Sequence, residues 1–389
     1  MLPPSPPHVV RHVRPHLLPR AQQHATRAAF FIPGFAIAAW APIVPFAKAR
    51  TGLDEASLGL VLLCLGTGSL LAMPAAGALA ARQGCKRVMV AALLLICITL
   101  PMLAMAATPW LLAAALAAFG AGIGAMDCAM NLQAVAVERD SARPMMSGFH
   151  AFYSIGGFVG AAGTTALLSA GLAPWLATGL VALIVLALYA PSARHWRSER
   201  VARDTAAFAW PRGVVACIGV LCFVAFLVEG SMLDWSAVFL HEVRGVDADR
   251  AGLGFVVFSL AMTVARLCGD GLVRRLGDRR AVVLGALCAC VGLGIATLAP
   301  HGAIALAGYA LVGVGCANVV PVMFSMAGRQ TTMPEAQAIP AISTLGYAGV
   351  LAGPALIGFA AQATGLVIAF LGVAAAMAGV ALSMRWLRV

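Results

Sequence analysis

Charge is what this sequence has least of. Only 11% of its residues are Asp, Glu, Lys or Arg, against about 25% in an ordinary soluble domain. A water-soluble fold of 389 residues cannot cover its surface with so few charges, so the 61% of hydrophobic residues points to lipid as the solvent. Acids are scarcer than bases, 15 against 26. The basic surplus does not mark a nucleic-acid partner, because these residues sit in short loops between apolar runs without the interleaved aromatics that single-strand binding needs. Cysteine is present without a useful spacing. Nine of the ten fall inside apolar runs, Cys85 alone lies in a loop, and neither a CxxC nor a Cys/His pattern occurs. That excludes a metal or redox centre and a disulfide framework, and leaves small packing residues. Walker, G-x-S-x-G and H-E-x-x-H motifs are missing as well, so no enzyme, no cofactor and no direct ATP drive are expected.

What is present is a series of apolar stretches of about 20 residues, the length that carries a helix across a bilayer with every backbone polar group satisfied internally. They run over residues 27–47, 56–80, 87–107, 109–137, 144–170 and 172–191, then 211–240, 251–273, 281–299, 301–328, 335–363 and 365–384. Residues 1–25, rich in Pro, Arg and His, are expected to be a disordered tail. The polar stretch 193–210 is expected to link an N-terminal bundle (26–192) to a C-terminal one (211–389). All basic residues except Lys48, Arg50, Arg244, Arg250 and Arg266 collect on one side when both termini lie in the cytoplasm, which sets that orientation in the inner (plasma) membrane. Trp110, Trp175, Trp196, Trp210 and Trp386 fall at span ends and read as interfacial anchors.

The two halves repeat. Arg82-Gln-Gly84-Cys-Lys86-Arg87 after the second span returns as Arg275-Leu-Gly277-Asp-Arg279-Arg280 after the eighth, 193 residues later. Gly122-x-Gly124 recurs as Gly313-x-Gly315, offset by 191 residues. Pro144, Gly156 and Gly163 recur as Pro334, Gly346 and Gly353, offset by 190. Three pairs of spans at nearly one offset predict a duplicated six-helix unit, with a solute site between the copies near the midplane. The fold expected is therefore all-α: twelve transmembrane helices in two pseudo-symmetric six-helix bundles.

With its duplicated basic loop, the chain resembles the major facilitator superfamily. Gly124-Ala-Met-Asp127-Cys-Ala-Met-Asn131, Ser147-Gly-Phe-His150-Ala-Phe-Tyr153-Ser154, Glu229-Gly-Ser-Met-Leu-Asp234-Trp235-Ser236 and Arg266-Leu-Cys-Gly269-Asp270 are similar to its fucose-permease-like branch, especially the YbjJ type. The resemblance implies a proton-linked carrier of sugars or related polar solutes that works by alternating access. It also implies that Arg82, Lys86, Arg87, Arg266, Asp270, Arg275 and Arg279 gate the cytoplasmic side. Ala81 stands where that signature usually has an acid, which would shift the lock toward the C-terminal half. Asp270, four residues from Arg266, is placed to pair with it on one helix face or to meet the positive end of a helix starting near Pro144.

A charge at the centre of a span costs about 2.5–3.5 kcal/mol on insertion scales. Asp127, Glu229 and Asp234 are the acids well inside spans, and with His150 they are the proton-coupling candidates. The rival reading of Asp127 is a structural acid hydrogen-bonded to neighbouring helices. Gly120, Gly124, Asp127 and Asn131 share a helix face. His150, level with Asn131 along neighbouring helices, would relay a proton or pack. Glu229 and Asp234, five residues apart, point about 140° apart, so one is expected in a cavity and the other in a structural contact. Asn131, Tyr153, Ser154, Trp235, Trp40, Asn318 (the repeat of Asp127) and Tyr347 (the repeat of Gly157) are candidates to hold substrate. The expected partners are a small-molecule substrate, a proton and the lipid bilayer, with the chain acting as a monomer. Proton-driven export of a metabolite or drug, and a sensor that binds solute without moving it, are the alternatives.

Overall fold

The structure, a computed structural model, describes residues 20–53, 55–198, 209–246 and 253–387. These form twelve helices long and apolar enough to cross a membrane. The first half contains α1 (Arg20–Thr51), α2 (Glu55–Gln83), α3 (Cys85–Met105), α4 (Pro109–Ser141), α5 (Met146–Ser169) and α6 (Pro174–His195). The second contains α7 (Gly213–Val238), α8 (Leu253–Leu276), α9 (Asp278–Leu298), α10 (Gly302–Arg329), α11 (Glu335–Thr364) and α12 (Leu366–Ser383).

Local chemistry sets the boundaries. Pro109 opens α4 behind Thr108, whose side chain accepts from the backbone N–H of Leu111, and Pro174 opens α6. The glycine of the repeated basic loop has a backbone reason. Gly84 turns α2 into α3 at φ +86°, and Gly277 turns α8 into α9 at φ +77°, a conformation that strains any residue with a Cβ.

Each half is knitted by the same helix pairs. In the first, α1 packs on α5 and α2 on α4; in the second, α7 packs on α11 and α8 on α10. Side chains at Gly34 and Gly160 would collide with the carbonyl oxygens of Tyr153 and Phe35, so α1 and α5 touch backbone to backbone, as lipid-embedded helices with small interface residues do. The repeat holds at this level too. Gly156 faces Phe31 and Phe35, and Gly346, 190 residues on, faces Cys222 and Phe226.

Among the described residues the halves meet where α2 and α4 pack against α11, where α5 packs against α8, and where the last part of α10 packs against α4 and α5. Two expectations need correction, the start of the first helix and the anchor role of Trp196. Helix α1 already begins at Arg20, so residues 20–25 belong to it and not to a tail; residues 1–19 lie outside the described residues. The expected linker starts with an ordered turn, Ala193–His195, and Trp196 is 3% exposed. Its indole Nε1 donates to the carbonyl of Ala25 (3.1 Å), so Trp196 is a plug under α1 and not a lipid anchor. Trp110, Trp175, Trp210 and Trp386 are exposed, as anchors should be. Residues 199–208 of the linker lie outside the described residues.

Candidate functional site

The deepest charged group between the halves is Arg266 on α8, 5% exposed. Its guanidinium has three partners from three helices. Nη2 donates to Glu229 on α7 (3.2 Å), Nη1 to the hydroxyl of Ser154 on α5 (3.0 Å), and Nε to the carbonyl of Ala317 on α10 (3.1 Å). The last bond has a covalent cause. Four residues beyond Ala317 stands Pro321, which has no N–H to close the helical hydrogen bond. Helix α10 breaks there into Gly302–Cys316 and Val319–Arg329, and a carbonyl orphaned inside a membrane protein must find another donor.

Asp127 on α4 is 9% exposed. Tyr153 of the first half lies within electrostatic reach of Asp127, Arg266 and Glu229, and Tyr347 of the second lies within reach of Asp127 and Tyr153. Glu229, Arg266, Asp127, Ser154, Tyr153 and Tyr347 thus gather where the two copies of the helical unit meet. The site offers one cation, two carboxylates and three hydroxyls, a set able to hold a polyhydroxyl solute.

The other candidates are placed differently. Asn131 donates to the backbone carbonyl of Asp127 (2.9 Å), one turn back on its own helix. The His150 ring sits between Phe30 (5.1 Å between ring centroids) and Phe324 (6.0 Å), and its buried Nε2 has no hydrogen-bond partner among the described residues. Asn318 occupies the break in α10, with its Oδ1 against Gly269 and Ser147. Trp40 is buried in the first-half core. Of the two acids on α7, Glu229 turns inward and Asp234 is exposed. The expected structural contact for the second acid gives way to an outward carboxylate. Trp235 is half-buried, with its ring 3.3 Å from where a side chain at Gly358 on α11 would begin.

The gating set divides. Arg266 was grouped with the cytoplasmic charges and expected to pair with Asp270, but it is bound to Glu229 deep in the seam. Asp270 instead accepts the backbone N–H of Gly148 (3.1 Å) at the start of α5, the helix-end contact that was the second expectation for it. Glu138 holds the same helix start by accepting from Met145 (2.7 Å) and Met146 (2.9 Å), so a carboxylate from each half sits on one positive helix end. Arg82, Arg87, Arg275 and Arg279 are exposed and Lys86 is half-buried. Among the described residues none of these five joins an ion pair. The ion pair that crosses between halves near the helix ends joins Arg139 on α4 to Glu335 on α11, and sequence reasoning missed it. Its signal was the placement of Glu335 directly after Pro334, the first-turn position of a helix.

The match to known proteins follows the same outline. The Major Facilitator Superfamily model covers residues 28–331, and the chain belongs to that family of membrane transporters. It is similar to an uncharacterised MFS-type transporter of Yersinia pestis, 51% identical over 366 residues, covering 94% of this chain and 95% of the relative. Among solved structures, the E. coli fucose:proton symporter FucP superposes with a TM-score of 0.77 at 16% identity, over 94% of this chain and 98% of that one. The proton:xylose symporter XylE superposes at 0.74 with 14% identity, over 95% and 96%.

Proposed function

We propose that this transporter carries a small polar, sugar-like solute into the cell with protons, by rocking of the two halves about the Arg266 site. The observation that carries the reading is the bonding of Arg266, which is held by a carboxylate of its own half and a hydroxyl of the other. A polyhydroxyl ligand that replaces the Ser154 hydroxyl on Arg266 would exchange a bond between halves for a bond to solute. Asp127, with the tyrosine pair beside it, is the group we assign to proton uptake and release. Glu229 then answers to Arg266, gaining or losing its cation as the solute arrives and leaves.

The contacts between halves support a resting state. Asp270–Gly148 and Arg139–Glu335 both lie toward the end of the molecule that carries the first turns of α5 and α11. With both termini cytoplasmic, as the distribution of basic residues supports, that end is the inner one, so these contacts support a resting arrangement of the two halves held together at its inner side in an inner membrane. The similar fucose-symporter structure titled as outward conformation is consistent with it. A monomer suffices, because the site is complete within one chain.

Thermal stabilisation of the purified protein by a panel of sugars, organic acids and drugs would identify the solute class. Reconstituted into liposomes with an imposed pH gradient, the protein is expected to accumulate the stabilising solute on the side the protons enter. Gradient-driven expulsion would instead support the exporter, and saturable binding without flux would support the sensor.

A further inference from the structure

Lys86 and Arg87 join no ion pair among the described residues, yet they open onto a groove of about 640 Å³. One wall is the face of α3 that carries Arg87, Val90, Ala91 and Leu94, residues three, four and seven apart and therefore on one side of a helix. Tyr189 at the end of α6 and Ser198 beyond it make the opposite wall. The groove is held in shape by the protein itself. The backbone N–H of Lys86 donates to the carbonyl of Arg197 (2.8 Å), which pins the chain after α6 to the start of α3, and Tyr189 leans on buried Trp196 (5.6 Å between rings).

We propose that this groove binds an anionic phospholipid, with the phosphodiester against Lys86 and Arg87 and an acyl chain along Val90, Ala91 and Leu94. The order of chemistry along α3 is that of a lipid molecule. Two cations stand at the helix end, and the apolar trough below them runs about 10 Å from Arg87 to Leu94 at 1.5 Å per residue. Leu94 is 45% exposed on a helix that crosses the membrane, so the lower groove faces hydrocarbon. Free phosphate would match the cations alone and would leave the trough unused. Basic pockets of this kind between membrane helices select anionic headgroups. The assignment stands apart from the transport reading, since it uses neither the Arg266 site nor a solute.

The test uses the full chain in neutral detergent, with native mass spectrometry counting retained phosphatidylglycerol against phosphatidylcholine. Wild type is expected to retain phosphatidylglycerol in preference, and K86Q/R87Q to lose roughly tenfold of that preference. R279Q/R280Q removes the same charge from the repeat-related loop and should leave retention unchanged. Ala91→Trp, which fills the trough and keeps both cations, should lower retention as the charge variant does. Unchanged retention in K86Q/R87Q, equal loss in R279Q/R280Q, or full retention in Ala91→Trp with displacement by inorganic phosphate would each overturn the proposal.

Discussion

Arg266 shows what residue-level chemistry in lipid requires. A guanidinium has five donors and no acceptor, and here its bonds are spread over a carboxylate, a hydroxyl and a backbone carbonyl on three helices. Truncating one member of a buried pair leaves the other charge uncompensated, at a cost of about 3–5 kcal/mol. Arg266→Gln and Glu229→Gln are each expected to show that loss in thermal unfolding in detergent, and E229Q/R266Q to recover part of it. Strict additivity in that cycle would mean that the two do not interact. Asp127→Asn is expected to abolish proton-driven accumulation while solute exchange between loaded liposomes persists; normal accumulation would remove Asp127 from the coupling. Asp127 and Glu229 were visible in the sequence because a carboxylate in an apolar run is conspicuous. The partner of Arg266 was not, since Glu229 lies 37 residues away and only the fold brings them together.

Among the elements, the twelve spans were legible because bilayer thickness dictates helix length, and the ends found differ from those expected mainly by polar turns projecting beyond the apolar core. The break in α10 was not anticipated, although Pro321 advertised it. Helix pairing turns on which small residues meet backbone, and sequence alone does not separate these from glycines facing open space. Gly160 and Gly163 make the comparison directly. Gly160 lies under the Phe35 carbonyl, whereas nothing lies within 4 Å of a side chain begun at Gly163. Gly160→Val is therefore expected to destabilise the protein by about 1–3 kcal/mol, the usual cost of overpacking. Gly163→Val should stay within about 0.5 kcal/mol, both read as thermal stability in the same detergent.

For the whole molecule, the duplication predicted from glycine and proline offsets reappears as matched helix pairs. How the halves meet was legible only in part: the Asp270 contact with the start of α5 was among the expectations, the Arg139–Glu335 pair was not. The basic loops drew attention through their motif, but Ala81 leaves them without the usual acid. Polar contacts between the halves near that end are made by Asp270 at the start of α5 and by Arg139–Glu335. A partly exposed ion pair contributes about 0–1 kcal/mol, which can move a two-state balance up to about fivefold. Glu335→Gln is expected to raise the labelling rate of a cysteine placed at Ser325, on the adjoining pocket wall, by up to that factor. An unchanged rate would show that the pair does not hold this end shut.

The bend in α10 ties these scales together. Because Pro321 withholds a donor, the helix lends the Ala317 carbonyl to Arg266, the side chain at the centre of the proposed site. Whatever draws Arg266 away strips that carbonyl of its partner, and the lower arm of α10, which leans on α4 and α5 of the other half, loses its brace. If Arg266 holds solute as proposed, a missing N–H on one proline couples the occupancy of the centre to the seam that α10 makes with α4 and α5.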